Sequence, residues 1–147
     1  MLFLQAENVY MSTSKSNDVK LLNFGVAQRV DPNRTVRVSF NTVEYCSPEV
    51  LTFAPVSFAS DMWSLGVLAY VLLSGVSPFL GRTTDETYLN ITEGKGVGFV
   101  DAVWARVSQS AKEWIGRLLV KDVKQRMTIA EALAHPWLNV RTFHSFE

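Results

Sequence analysis

The sequence predicts a mostly α-helical domain, a bundle of helices around one buried hub helix with a short β-hairpin beside it. Three observations carry that prediction. Within residues 59–79, only Ser64, Gly66 and Tyr70 interrupt an apolar run from Met62 to Leu73. Its apolar residues lie all round a 3.6-residue helix, and a helix with no polar face is buried on every side. Three Ser/Thr-x-x-Glu capping signals follow, each opening a further helix. Two short β-prone runs precede it, with a polar stretch between them.

At 147 residues the chain is one domain or a piece of one, long enough to bury roughly two-thirds of its surface. It is 48% hydrophobic with a formal net charge of zero. That composition excludes a disordered tail and gives no electrostatic attraction to nucleic acid or an anionic membrane. The single cysteine, Cys46, cannot form an internal disulfide and points to a reducing, cytoplasmic setting. Met1-Leu-Phe-Leu is too short for a signal peptide and lacks its basic flank. The sequons Asn33-Arg-Thr35 and Asn90-Ile-Thr92 are therefore read as chance matches.

In chain order, residues 8–11 and 19–22 are the two strands, and residues 12–18 form the hairpin loop. Asn23-Phe-Gly25 breaks the second strand. From residue 26 to 43 no period holds, and a segment of that length is functional or disordered. Residues 45–51, with Pro48, lead to the hub helix. Ser57 or Ser60 can cap the hub, and Asp61 places a carboxylate at its positive end. Gly75 can take the left-handed conformation past the last turn, and Pro78 prevents continuation. About a dozen apolar residues are too few to cross a bilayer, so Leu65, Leu68 and Leu72 are expected to be fully buried in protein.

Beyond the hub, Thr83-x-x-Glu86 opens a helix that Gly94 closes. Ser110-x-x-Glu113 opens the next, with Trp114, Ile115, Leu118 and Leu119 as its apolar stripe. Thr128-x-x-Glu131 opens the last, which ends before Pro136 because a residue preceding proline disfavours helix. Gly94-Lys-Gly-Val-Gly98 hints at a phosphate-cradling loop, but it follows a helix and opens no strong one. His135 and His144 have no metal partners in the pattern, so no metal site is expected. With no basic neighbour to lower its pKa, Cys46 reads as a small buried residue rather than a redox handle.

Several local motifs occur in a fixed order: Leu4-Gln-Ala-Glu-Asn8, Asn23-Phe-Gly25, Tyr45-Cys-Ser-Pro-Glu49 and Asp61-Met-Trp-Ser-Leu-Gly66. After them come Val71-Leu-Leu-Ser-Gly-Val-Ser-Pro-Phe-Leu-Gly81, Arg117-Leu-Leu-Val-Lys121, Arg126-Met-Thr and His135-Pro-Trp-Leu138. The series resembles the C-terminal lobe of a protein kinase, its first four pieces standing where that family has its catalytic loop, D-F-G, A-P-E and D-x-W-S-x-G. Within the family the likeness is to calcium/calmodulin-kinase-like enzymes, above all the giant muscle kinases (titin, twitchin, obscurin) and the myosin light-chain kinases. It implies a partial kinase domain over residues 1–138 and a short tail over 139–147. No Gly-rich loop or strand lysine stands upstream, so the N-lobe is expected to be absent.

Phosphoryl transfer needs cations, ligands for them and a carboxylate beside the attacking hydroxyl. Aligned on Glu7-Asn8, the resemblance puts Phe3 at the catalytic aspartate and Gln5 at the lysine that neutralises the transferred phosphate. Asn23 replaces the main metal carboxylate, and Asn8 alone survives as the second metal ligand. The family's structural positions are matched better. Glu49 and Arg126 correspond to a buried ion pair, Asp61 to the residue that caps the catalytic-loop backbone, and Trp63, Leu68 and Leu72 to hub packing. Phe24 and Gly25 complete the D-F-G-like turn, and Thr42 and Tyr45 fall in a peptide-docking loop of Ser/Thr-kinase form. Thr35 and Ser39 lie in an activation-segment-like loop, but Leu2 replaces the arginine that would hold a phosphate there, so no phosphorylation switch is expected.

The expectation is therefore a degenerate kinase domain, a pseudokinase, acting as a protein-binding or scaffolding module with cytoskeletal or sarcomeric partners and no cofactor. Val9, Tyr10, Met11 and Phe24 would face an uncovered cleft and could support self-association, unless the hairpin collapses onto the hub. One alternative is the C-terminal part of an active Ser/Thr kinase using ATP and magnesium. Another is one lobe of a kinase domain within a longer sarcomeric chain.

Overall fold

The computed structural model describes residues 4–29 and 42–139. Leu2, Phe3, Asn33, Thr35, Ser39 and His144 lie outside them. Strand β1 (Val9–Met11) pairs antiparallel with β2 (Val19–Leu21), placing Val9 opposite Leu21 and Met11 opposite Val19. The Leu22 N–H donates to the Asn8 carbonyl at 2.9 Å and Ser12 N–H to Asp18 at 2.8 Å, extending the ladder at both ends. A lone two-stranded hairpin is marginal in water. Here Leu4, Ala6 and Val9 anchor it to the core.

Helix α1 (Pro48–Leu51) begins on proline, which suits a first helical position. The hub follows as α2 (Phe58–Ser74). Ser57 is its cap, accepting the Ala59 N–H at 3.2 Å, whereas Ser60 turns its hydroxyl to Glu49. Gly75 stops the helix at φ 78°, donating to the Val71 carbonyl at 2.8 Å. Met62, Trp63, Val67, Leu68 and Tyr70 are buried.

Burial of the hub is not all-round, however. Leu65 is only half-buried and Leu72 is 71% exposed, against expectation. The run of consecutively buried residues ends at Tyr70; in the last turn Val71 and Leu73 still pack against the core, while Leu72 between them faces away from these partners. Apolar composition alone does not reveal where those partners stop.

Helix α3 (Thr84–Thr92) is capped by Thr83, which accepts the Glu86 N–H at 3.1 Å. The Glu86 carboxylate accepts from Arg82 N–H rather than from Thr83, so only half of the expected capping box forms. Helix α4 (Gln109–Leu118) starts two residues earlier than Ser110 suggested. Ser108, in extended geometry, takes the cap by accepting the Ala111 N–H at 3.2 Å, and Ser110 falls inside the first turn. The stripe of Trp114, Ile115, Leu118 and Leu119 is buried as expected. Helix α5 (Ile129–Ala134) carries the full Thr128–Glu131 capping box and ends at His135, extended before Pro136.

Hub and α4 approach closely at Gly66, where an added Cβ would lie 2.8 Å from Leu118 Cβ and 2.9 Å from Leu119 Cδ2. A 3-10 turn, Ala102–Arg106, was not legible in the sequence. It delivers Trp104 to a cluster with Tyr70 and Phe99, ring centres 4.5 and 4.8 Å away. The Tyr70 hydroxyl donates to the Gly98 carbonyl at 3.0 Å, which pins the glycine-rich stretch to the hub as a loop. No described helix is long and apolar enough to cross a membrane.

Candidate functional site

A 3-10 turn, Ala6–Asn8, leads into β1, with Gln5 half-buried just before it. The backbone bond between Asn8 and Leu22 brings the start of β1 against the end of β2, so Asn8 and Asn23 sit at the same end of the hairpin. Asn23 holds left-handed backbone angles, φ 61° and ψ 62°. Asparagine tolerates that region better than most residues. It ends the strand there and starts the 3-10 turn Phe24–Val26. Gln5 and Asn23 place carboxamides where charged groups were sought, and Asn8 adds a third. Their oxygens could ligate a hard cation, but they bring no negative charge. Among the described residues no group of three or more His, Cys, Asp or Glu could hold a metal.

The apolar residues of this end are uncovered. Tyr10, Met11, Val19, Leu21 and Leu22 are exposed, and Phe24 is 60% exposed. The hairpin therefore does not collapse onto the hub.

Next to it, the 3-10 turn Val43–Tyr45 buries Tyr45. Burial and the nearby Glu7 charge push its phenol above the ordinary value, opposed by a backbone hydrogen bond with Ala6. The Tyr45 carbonyl accepts from Ser64 Oγ of the hub at 2.9 Å. Thr42, half-buried, offers its carbonyl to the Cys46 thiol at 3.4 Å. Burial pushes that thiol up to about 12, so Cys46 is a packed side chain and not a nucleophile at neutral pH.

Deeper still, Arg126 forms a two-pronged pair with Glu49, at 2.7 Å to Oε1 and 2.9 Å to Oε2. All the remaining guanidinium N–H groups are used, on the carbonyls of Ala59, Val120 and Lys121. The guanidinium carbon lies 5.2 Å from the Trp63 ring centre, and Trp63 stacks on Phe79. Burial alone would raise the Glu49 carboxyl. The hydrogen bonds and charge of Arg126, with the Ser60 hydroxyl at 2.8 Å, more than offset that and hold it below the ordinary carboxylate value.

Asp61 is half-buried in the first turn of α2, an acid at the positive end of the helix. Gly25 is exposed, and a Cβ there would meet nothing closer than Asn23 Oδ1 at 3.5 Å.

The site residues thus form a connected series: Ala6 to Tyr45, Tyr45 to Ser64, then Ser60 to Glu49 and Arg126. Sequence reasoning missed Ser60 as a partner of Glu49, and Ser64 altogether. Their signal was available, because two serines four apart on an otherwise apolar helix mark a face that must meet polar atoms. Asn90 is no glycan acceptor in this fold, since its side chain donates to the Phe79 carbonyl at 3.0 Å. His135 is buried, with Nδ1 accepting the Trp137 N–H at 3.2 Å.

Comparison with known proteins gives a consistent result. Residues 4–138 match the family model described as the protein kinase domain. The chain is 43% identical, over 93% of its length, to the titin homolog of Caenorhabditis elegans, of which it spans 1%. It is 44% identical, over 94% of its length, to human myosin light chain kinase 2 of skeletal/cardiac muscle, of which it spans 23%. Among solved structures, the autoinhibited serine kinase domain of the giant muscle protein titin superposes with a TM-score of 0.88 at 41% identity. That likeness covers 95% of this chain and 43% of the other. The chain spans about a quarter or less of these curated relatives.

Proposed function

Because the chain belongs to the protein kinase domain family, a relative of the titin and myosin light-chain kinases, we propose that its residues 1–138 are a degenerate C-terminal lobe of such a domain. It works as a protein-binding or scaffolding module with cytoskeletal or sarcomeric partners, in the cytoplasm, and needs no cofactor. Residues 139–147 are its tail. The observation that carries the reading is Asn23. It occupies a left-handed turn at the end of β2, where the family's metal carboxylate is sought, and presents an amide instead of a charge. Gln5 likewise cannot neutralise a phosphate, and Phe3, by sequence, cannot accept a proton from a hydroxyl.

In this reading Glu49, Asp61, Trp63 and Arg126 serve the framework, Thr42 marks the docking loop with Tyr45 buried beneath it as support, and Asn8 is a remnant. The exposed apolar face of the hairpin and Phe24 is a binding surface, since exposed apolar patches of several hundred Å² mark interaction sites. The relatives' printed names favour a second reading, the C-terminal part of an ATP-dependent Ser/Thr kinase. The test is transfer of radiolabelled phosphate from ATP–magnesium to a generic basic peptide. No transfer is expected, and transfer abolished by Asn8→Ala establishes the second reading.

A further inference from the structure

Away from the hairpin, a cavity of about 200 Å³ opens between the start of α2 and the turn that leads into α5. Its inner wall is Met62 and Met127, 7% and 1% exposed, so it reaches the core. At its mouth stand Phe58 and Ile129, both exposed, and Lys124. Two large apolar side chains held in water at the mouth of an apolar cavity are unfavourable unless something covers them.

The chemistry of the walls limits what that is. Arg126 borders the cavity, but its five N–H groups are already spent on Glu49 and the carbonyls of Ala59, Val120 and Lys121. The Thr128 hydroxyl is used by Glu131. No inward polar side chain is left to greet a ligand, so the inserted part must be apolar. Thioether walls of methionine adapt to irregular apolar shapes. The volume is near the roughly 150 Å³ that accepts a benzene-sized guest and below the roughly 300 Å³ of ordinary ligand pockets. One ring or a short alkyl chain fits, and a nucleotide does not. Of the charged residues that line it, Arg126 is spent on Glu49, and the Lys124 ammonium has no ion-pair partner among the described residues, the Asp122 carboxylate accepting only its backbone N–H at 2.9 Å.

We propose that this cavity is a binding site for a small amphipathic carboxylate, its apolar tail between Met62 and Met127 and its head on Lys124. The site is independent of the hairpin face and of whether the chain transfers phosphate.

The test titrates the full chain with octanoate, octanol and octylamine, reading the methyl signals of Met62 and Met127 by carbon–proton NMR. Octanoate is expected to shift both methyls saturably and to raise the melting temperature. Octanol should bind more weakly and octylamine weakest. Lys124→Glu, at an exposed position that leaves the fold intact, should weaken octanoate about two- to fivefold, the range of a surface ion pair, and leave octanol unchanged. Ile129→Trp, which fills the mouth, should abolish the response to both. Absence of saturable shifts at millimolar octanoate overturns the site. Equal binding of all three head groups, or loss of octanol binding in Lys124→Glu, overturns the assignment of the head to Lys124.

Discussion

Glu49 of α1 and Arg126 just before α5 meet in a buried two-pronged ion pair although 77 positions separate them in sequence. Removing one partner of such a pair leaves the other charge buried and uncompensated, which costs about 3–5 kcal/mol. Arg126→Ala and Glu49→Ala are each expected to lower stability by that amount in urea unfolding. The double variant should cost less than the sum of the two, because neither charge is then stranded.

The same pair fixes a pH dependence. The Glu49 carboxyl lies below its ordinary 4.5 in the folded chain, so folding favours its charged form. Its contribution is fully present above about pH 4.5 and is lost as pH falls through the depressed folded value. Unfolding midpoints measured from pH 7 down to pH 3 should fall more steeply for the wild type than for Glu49→Gln. Parallel curves would show that the carboxylate is not what titrates.

Gly66 sits where α2 touches α4. Alanine is the better helix former by about 1 kcal/mol, so on propensity alone Gly66→Ala should stabilise. Its Cβ, however, would lie 2.8 Å from Leu118 Cβ and 2.9 Å from Leu119 Cδ2. Neither a Cβ nor a packed leucine yields cheaply, and overpacking of this kind costs about 1–3 kcal/mol. A net loss of stability is expected, and Leu118→Ala in the same chain should not restore it, because alanine keeps the Cβ that the new methyl meets.

Two leucines one turn apart in the hub separate burial from composition. Leu68 is 6% exposed and Leu72 is 71% exposed. Leu68→Ala should cost about 2–5 kcal/mol, as large-to-small changes in a core do. Leu72→Ala should stay within about 0.5 kcal/mol, the usual range for surface positions. Comparable losses at the two sites would mean that the hub is covered at its last turn.

How far the sequence carried these conclusions depends on whether the signal was local. The hub's limits, the hairpin's two strands and the Thr128–Glu131 box rest on neighbours within a few residues, and each was legible before the structure. Leu72 was misread because its exposure depends on which face of α2 the partners leave open, Val71 and Leu73 on either side being packed on the core, and no window of sequence contains those partners. Ser108 displaced Ser110 as a cap because two candidate serines lay two apart, and backbone geometry decided between them. Trp104 was missed because its 3-10 turn has no apolar period. At the candidate site the motif order located Asn23, Tyr45, Glu49 and Arg126. The links through Ser60 and Ser64 needed the helix face on which they point together.

The exposed face of the hairpin gives the last prediction. Tyr10, Met11, Val19, Leu21, Leu22 and Phe24 are exposed, in a chain of zero formal net charge that has little long-range repulsion to keep copies apart. An apolar surface of this kind in water gains free energy when covered, at about 25 cal/mol per Å² of apolar area. The occupant expected there is a kinase N-lobe, a partner protein or a second copy. For the chain by itself, concentration-dependent self-association and binding of a hydrophobic dye are expected in sedimentation and fluorescence measurements. Tyr10→Lys and Phe24→Glu should reduce both while leaving the helical circular dichroism and the unfolding midpoint unchanged, because neither side chain belongs to the core. A chain that stays monomeric at high concentration and binds no dye would falsify the role given to this face.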